Sequence, residues 1–345
     1  MNNRVMIAMS GGVDSAVAAH LCVASGADAA GVTMQHFTGC GEQDSIDAAA
    51  ICRQLAIPHF VADLKDTFYT EVILPFIREY ELGLTPNPCI FCNKRIKFGA
   101  LYDFASKHGY DRIATGHYAR IEKSDTGRYL LRRAADLAKD QSYMLYTLSQ
   151  DVLSHIELPL GDLTKREVRE LAASLSFDVA SRKDSQDICF VPDGDYAAFI
   201  TRHTGRATSC GRYLSTDGRV LGEHKGHLHY TIGQRKGLGI ALGEPAFVVA
   251  KSAMDNTVTL GRQEDLFTTR LVATHINLIT RDALTYPARL MAKVRYSQTM
   301  TPARVEQTGE DELTLEFEVP QRAICAGQSL VLYEDDYVVG GGIIR

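Results

Sequence analysis

The chain has 345 residues, 45% of them hydrophobic and 23% charged, a mixture that supports two or three buried cores and excludes a disordered or fibrous protein. The formal net charge of −5 gives no support for indiscriminate nucleic-acid binding, although a local basic surface stays open. No apolar run approaches the ~18–20 residues of a membrane helix, and the start Met1 to Ile7 is no signal peptide, so a cytoplasmic protein without membrane contact is expected.

In chain order, Arg4 to Met9 reads as a buried strand and Val13 to Ala24 as a helix closed by Gly26. Ala30 to Gln35 is the next strand, and Ser45 to Leu55 a helix with Ser45 as its N-cap. His59 to Ala62 is a strand; Phe68, Val72, Phe76 and Tyr80 then recur at helical spacing, with Pro75 set to kink that helix. Ile96 to His108 is helical, and Arg112 to Ala114 is a strand ending before Gly116. Strands alternating with helices predict a mainly parallel sheet covered on both faces. After about Val191 glycines become frequent, and beyond about Leu266 the pattern is β, with Leu313, Leu315, Phe317 and Val319 alternating with polar residues. The expected fold is α/β over 1–192, a small glycine-rich central domain over 193–264 and a C-terminal β-barrel domain over 265–345.

Two segments carry chemistry. Ser10-Gly11-Gly12-Val13-Asp14-Ser15 follows the first strand and opens the first helix. Glycines let backbone N–H groups approach phosphate oxygens, and the helix N-terminus adds unpaired donors and partial positive charge. The loop lacks the lysine of a Walker A motif and the Gly-x-Gly-x-x-Gly of a dinucleotide fingerprint. It resembles the pyrophosphatase loop of enzymes that split ATP into AMP and pyrophosphate while adenylating a second substrate; a tight turn using glycines for geometry alone is the alternative. Asp14, a poor phosphate partner, orients the loop or a Mg²⁺ ion.

The second segment is Asn87-Pro88-Cys89-Ile90-Phe91-Cys92, followed by Lys94, Arg95 and Lys97. The chain has eight cysteines, for which structural disulfides are not expected, and no second Cys-x-x-Cys completes a closed zinc site. A reactive pair fits better, and the basic neighbours would favour thiolate. Cys189 follows Arg182, Lys183 and Asp184 to Ile188. Alone it reads as a buried thiol, as do Cys22, Cys52 and Cys325, while Cys40 and Cys210 have no assigned role.

Together the loop, the Cys-x-x-Cys and the later cysteine resemble the bacterial tRNA-specific 2-thiouridylase family. Gly226, His229 to Gly239, Thr115 to Arg120, Lys139 to Tyr143, Arg295-Tyr296 and Ala326 to Gln328 extend the likeness over essentially the whole chain. The resemblance implies an N-terminal domain like the adenine-nucleotide α-hydrolases and an ATP site, with Mg²⁺, at Ala8, Met9, Ser10, Gly11, Gly12, Val13, Asp14, Ser15, Met34 and Gly116. It implies Cys92 as nucleophile and Cys189 as persulfide carrier, joined transiently in a disulfide. It implies tRNA contacts at Asn87, Pro88, Cys89, His117, Lys139, Asp140, Gln141, Arg295, Tyr296 and Gln328, and a persulfide donor protein, a cysteine desulfurase or its relay, as partner. Core or turn roles remain the alternatives for Met34, Gly116 and His117, and solvated charges for Lys139 and Arg295.

Cys89 departs from family members that carry Asp there, so that residue's acid–base role does not transfer. Cys89, Cys92 and Cys189 are also three ligands for a [4Fe–4S] cluster, which stands beside the persulfide relay as the second reading. The rival functions are a pyrophosphatase-loop enzyme forming amide or guanidino bonds, a non-catalytic tRNA binder, and a thiolase acting on another base.

Overall fold

The computed structural model describes residues 4–36, 42–177 and 188–345. Cys40, and Arg182, Lys183 and Asp184 to Asp187 of the motif before Cys189, lie outside them.

The first domain is built on β1 (Arg4–Ala8), β2 (Asp28–Gln35), β3 (His59–Asp63) and β4 (Arg112–Ala114). A hairpin, β5 (Ala119–Lys123) and β6 (Tyr129–Arg133), precedes the short β7 (Ile156–Glu157). The five-stranded sheet has the order β3-β2-β1-β4-β7 and is parallel throughout. Side chains of β1 alternate between its faces: Val5 and Ile7 enter one core cluster with the helix Val13–Ala24, and Met6 enters the other. The chain leaves β1 toward β2 and β3, then returns to β4 on β1's other side. The strand order therefore reverses beside β1, and the carboxyl ends of β1 and β4 flank the crevice where such sheets bind ligands.

Two local expectations need correction, and a third gains detail. The second helix runs Glu42–Gln54, so Ser45 lies inside it and caps nothing. Pro75 follows a π-helical turn, Tyr69–Ile73, in which the Leu74 N–H reaches back to the Tyr69 carbonyl, within a helical run from Lys65 to Glu81 that is widened and not broken. The helix expected from Ile96 begins earlier, at Pro88, and includes a π-helical stretch, Cys92–Ala100.

The middle domain carries β8 (Gly211–Ser215), β9 (Val220–His224), β10 (Phe247–Ser252) and β11 (Thr257–Gly261) in the order β10-β11-β8-β9. Its small core gathers Tyr213, Tyr230, Leu238, Val248, Val258 and Leu260. The Tyr213 hydroxyl donates to the Leu238 carbonyl at 2.6 Å, which pins the glycine-rich segment down.

The last domain comprises β12 (Phe267–Leu278), β13 (Ala288–Lys293), β14 (Thr301–Gly309), β15 (Glu312–Arg322), β16 (Ser329–Glu334) and β17 (Tyr337–Ile344). They run in the order β12-β15-β14-β13-β16-β17, and β12 pairs with β17 to close a six-stranded barrel. Leu313, Leu315 and Phe317 point into its core, but Val319, expected to share that face, is exposed. The β5–β6 hairpin of the first domain pairs with β17 and extends the barrel's sheet. Among the described residues no helix is long and apolar enough to cross a membrane.

Candidate active site

The glycine loop sits at the carboxyl end of β1. Gly11 takes φ +66°, and a side chain there would stand 2.8 Å from the Asp44 backbone. Gly12 is the N-cap of the helix Val13–Ala24 and offers no side chain to cap it, which leaves the first-turn N–H groups for an anion. Ser15 braces the turn: its hydroxyl donates to the Gly12 carbonyl at 3.0 Å and accepts the Ser10 N–H at 3.2 Å. Ser10 itself is exposed.

Gly116, just past β4, packs against the start of the same helix. A Cβ there would lie 2.9 Å from the Asp14 carbonyl carbon and 3.0 Å from the Ser15 nitrogen. Met34, half-buried near the end of β2, packs against the cores on both sides of it. The topology thus brings the loop, Met34 and Gly116 to one sheet edge.

Asp14 does not face the loop alone. Lys165 Nζ lies 2.7 and 2.8 Å from its two carboxylate oxygens, and the Tyr118 hydroxyl donates to it at 2.7 Å. Lys165 and Tyr118 therefore hold the Asp14 carboxylate in place at the helix start. Lys165 is the first residue of the helix Lys165–Ser174, fixed by a capping box between Thr164 and Glu167. Sequence reasoning missed both Lys165 and Tyr118; the Thr164-x-x-Glu167 pattern was the available signal for the first.

The cysteines lie beyond the same edge. Asn87 caps the helix Pro88–Phe91 by accepting the Cys89 N–H at 3.2 Å, while Pro88 is buried and Cys89 exposed. Asn87 also donates to Met144 Sδ at 3.6 Å, and Asn93 donates to the Met144 carbonyl at 3.1 Å, which docks this helix on the segment after Asp140. The basic neighbours do not make Cys92 a ready thiolate. Burial pushes its thiol up to about 11, and of the three only Lys97 acts against that; Arg95 lies 3.7 Å from Glu71 instead. Cys92 and Ile188 pack against one apolar cluster containing Phe68, Phe76 and Phe190. Cys189 is exposed, not buried, and its Sγ lies 3.8 Å from Nε2 of His36, a residue that sequence reasoning did not single out. Cys22, Cys52 and Cys325 are buried thiols, and burial raises the pKa of each. Among the described residues no disulfide occurs, and no three His, Cys, Asp or Glu side chains are arranged to hold a metal ion. Cys89, Cys92 and Cys189 are not gathered around a single metal-ion position in this arrangement.

Many of the residues expected to meet tRNA are engaged within the protein. His117 is buried, with Nδ1 2.6 Å from the Thr115 hydroxyl and Nε2 3.5 Å from Lys97 Nζ. An ammonium only donates, so Nε2 is the unprotonated nitrogen and the ring is neutral; burial and Lys97 hold its pKa well below 6.5. Buried Asp140 accepts from the Ala134 and Ser142 N–H groups and from the Ser142 hydroxyl. Gln141 accepts the Tyr118 N–H at 3.0 Å. Arg295 donates to the Ala323 carbonyl at 2.6 Å and the Ile232 carbonyl at 3.4 Å, tying barrel to middle domain. Gln328 donates to the Thr85 carbonyl at 2.6 Å, tying the barrel to the approach of Cys89. Tyr296 is exposed, its hydroxyl donates to the Asp140 carbonyl, and Lys293 lies over its ring. Lys139 is half-buried in the turn that begins at Asp136.

A glycine-lined helix start at the topological switch of a parallel sheet defines a nucleotide-binding α/β domain, with free thiols near the same edge. Comparison with known proteins narrows the class. Family models match residues 3–193 (tRNA methyl transferase HUP domain), 197–262 (tRNA methyl transferase PRC-barrel domain) and 268–344 (aminomethyltransferase beta-barrel domain). The chain is 47% identical to the tRNA-specific 2-thiouridylase MnmA of Clostridioides difficile, over 100% of this chain and 99% of the relative. It is 44% identical to that of Lachnoclostridium phytofermentans, over 99% of each, and 44% identical to that of Treponema denticola, over 99% of this chain and 98% of the relative. The chain belongs to the tRNA-specific 2-thiouridylase family, and so to the sulfurtransferases.

Proposed function

We propose that the loop Ser10 to Ser15 holds ATP so that O2 of a uridine in tRNA, the wobble uridine by resemblance, attacks the α-phosphorus and expels pyrophosphate. The adenylated oxygen is then a leaving group. The terminal sulfur of a Cys189 persulfide attacks C2, AMP departs, and C2 is held through a disulfide to Cys189. The Cys92 thiolate attacks the Cys189 sulfur, which frees the 2-thiouridine and leaves a Cys92–Cys189 disulfide; a dithiol supplies the two electrons that reopen it. Beyond ATP and tRNA, these steps use only the two thiols, the donated persulfide and the dithiol.

The observation that supports this reading best is where Cys189 lies. It contacts His36, two residues beyond Met34 at the carboxyl end of β2, so the proposed sulfur carrier and the ATP loop share one sheet edge. On the RNA side, Asn87, Pro88, Cys89, Lys139 and Tyr296 line the approach, with Tyr296 as stacking surface for an extruded base. His117, Asp140, Gln141, Arg295 and Gln328 act by holding that approach in shape. A persulfide donor protein, a cysteine desulfurase or its relay, loads Cys189.

The test separates the half-reactions. Cys92→Ser and Cys189→Ser should each abolish 2-thiouridine formation while tRNA-dependent pyrophosphate release continues. Retained thiolation in either variant would contradict the assignment and favour an amide- or guanidino-forming enzyme.

A further inference from the structure

His36 is unexplained by the site as described. It directly follows β2 at the carboxyl end of the sheet, packs edge-on against Phe68 with ring centroids 4.9 Å apart, and puts Nε2 3.8 Å from Cys189 Sγ. Its Nδ1 lies 3.3 Å from the Met34 carbonyl. A carbonyl only accepts, so Nδ1 carries the proton and Nε2 turns its lone pair toward the sulfur. The tautomer is fixed by the strand that also carries Met34.

Resting on the reading of Cys189 as sulfur carrier, we infer that His36 is the general base that deprotonates Cys189 when it is loaded from a persulfide. In the step, His36 Nε2 takes the Cys189 thiol proton, and the thiolate attacks the outer sulfur of a donor R–S–SH. The donor's S–S bond breaks, Cys189–S–SH forms, and R–S⁻ takes the proton back from His36 to leave as R–SH. Atoms, charge and oxidation state balance, and the only co-reactant is the persulfide.

The surroundings suit a base. Burial and the Lys97 charge keep the imidazole neutral by lowering its pKa, while the Met34 carbonyl and Asp44 oppose them. A neutral imidazole accepts the thiol proton, and Asp44 steadies the imidazolium formed in passing.

Peptide-resolved alkylation of the full chain by iodoacetamide, from mildly acidic to mildly alkaline pH, tests the inference. Cys210, exposed in the middle domain, reports in the same sample on folding and on reagent. His36→Gln and His36→Ala should slow Cys189 alkylation about tenfold at neutral pH relative to the unsubstituted protein, with Cys210 unchanged. Loading of Cys189 by glutathione persulfide should slow by a similar factor. An unaltered Cys189 profile in both variants overturns the role of His36, whatever Cys189 does in thiolation. Normal thiolation by Cys189→Ser would instead overturn the sulfur-carrier reading and leave the alkylation result to decide on His36 alone.

Discussion

Lys165 closes an ion pair on Asp14 across 151 positions of sequence, with Nζ 2.7 Å from one carboxylate oxygen and 2.8 Å from the other. The pair is partly buried, so breaking it costs more than breaking a pair in open solvent. Lys165→Met should cost on the order of 2 kcal/mol in urea unfolding and lower pyrophosphate release about 100-fold, because the helix start that faces the phosphates loses its anchor. Asp14→Asn should do the same. Loss of stability without loss of pyrophosphate release would mean that the pair braces the fold and not the site.

The glycines make a paired prediction. A methyl at Gly116 meets the backbone of Asp14 and Ser15 within 3.0 Å, whereas one at Gly26, at φ +80°, meets nothing within 4 Å. Gly116→Ala should weaken ATP binding by a factor of ten or more, from the roughly 1–3 kcal/mol of overpacking at the loop. Gly26→Ala should cost only backbone strain, roughly 1–2 kcal/mol, and leave ATP affinity unchanged. Equal ATP affinities in the two variants, read by equilibrium binding, would contradict the placement of the loop.

Cys92 should be a slow nucleophile in the resting protein. With its thiol pushed up to about 11, on the order of one molecule in a thousand carries the thiolate at pH 8. The positive charge of Lys97 favours that thiolate, so Lys97→Met should raise the pKa further and slow Cys92 alkylation several-fold. Faster alkylation in the variant would show that Lys97 shields the thiol instead.

His117 gives a pH dependence of stability. Its folded-state pKa lies well below 6.5, so an unfolded chain takes up a proton there that the folded chain refuses. The stabilisation is complete above 6.5 and is lost as pH falls below it, by up to about 1.4 kcal/mol for each pH unit until the folded pKa is reached. Replacing His117 by Asn should flatten that slope in urea unfolding. An unchanged slope would place the acid sensitivity elsewhere.

What was legible in the sequence follows from the range of the interactions involved. The helix Val13–Ala24 and the first four strands of the parallel sheet are set by local periodicity, and the glycine loop by conformational need, so both could be read residue by residue, while the two-residue β7 carries no such pattern. The mistakes came where tertiary structure overrides a local cue. Val319 alternates with the core positions of its strand and is nevertheless exposed. The rise in the Cys92 pKa is not legible in the sequence, because charge is visible there and burial is not. Lys165, Tyr118 and His36 meet their partners only through the crossover of the sheet and the packing on it. The engagement of Asp140, Gln141 and Arg295 inside the protein was equally hidden, since each partner lies on another element. The insertion of the β5–β6 hairpin into the barrel's sheet has no local signature at all.

The central claim is that one sheet edge couples ATP cleavage to sulfur transfer through two cysteines. The most direct measurement is a single-turnover reaction of tRNA, ATP and persulfide-loaded protein, with 2-thiouridine and pyrophosphate quantified together. The account predicts one pyrophosphate per thiouridine in the unsubstituted protein, and pyrophosphate without thiouridine when Cys92 or Cys189 is Ser. Thiouridine formed by either variant at the unsubstituted rate would contradict it.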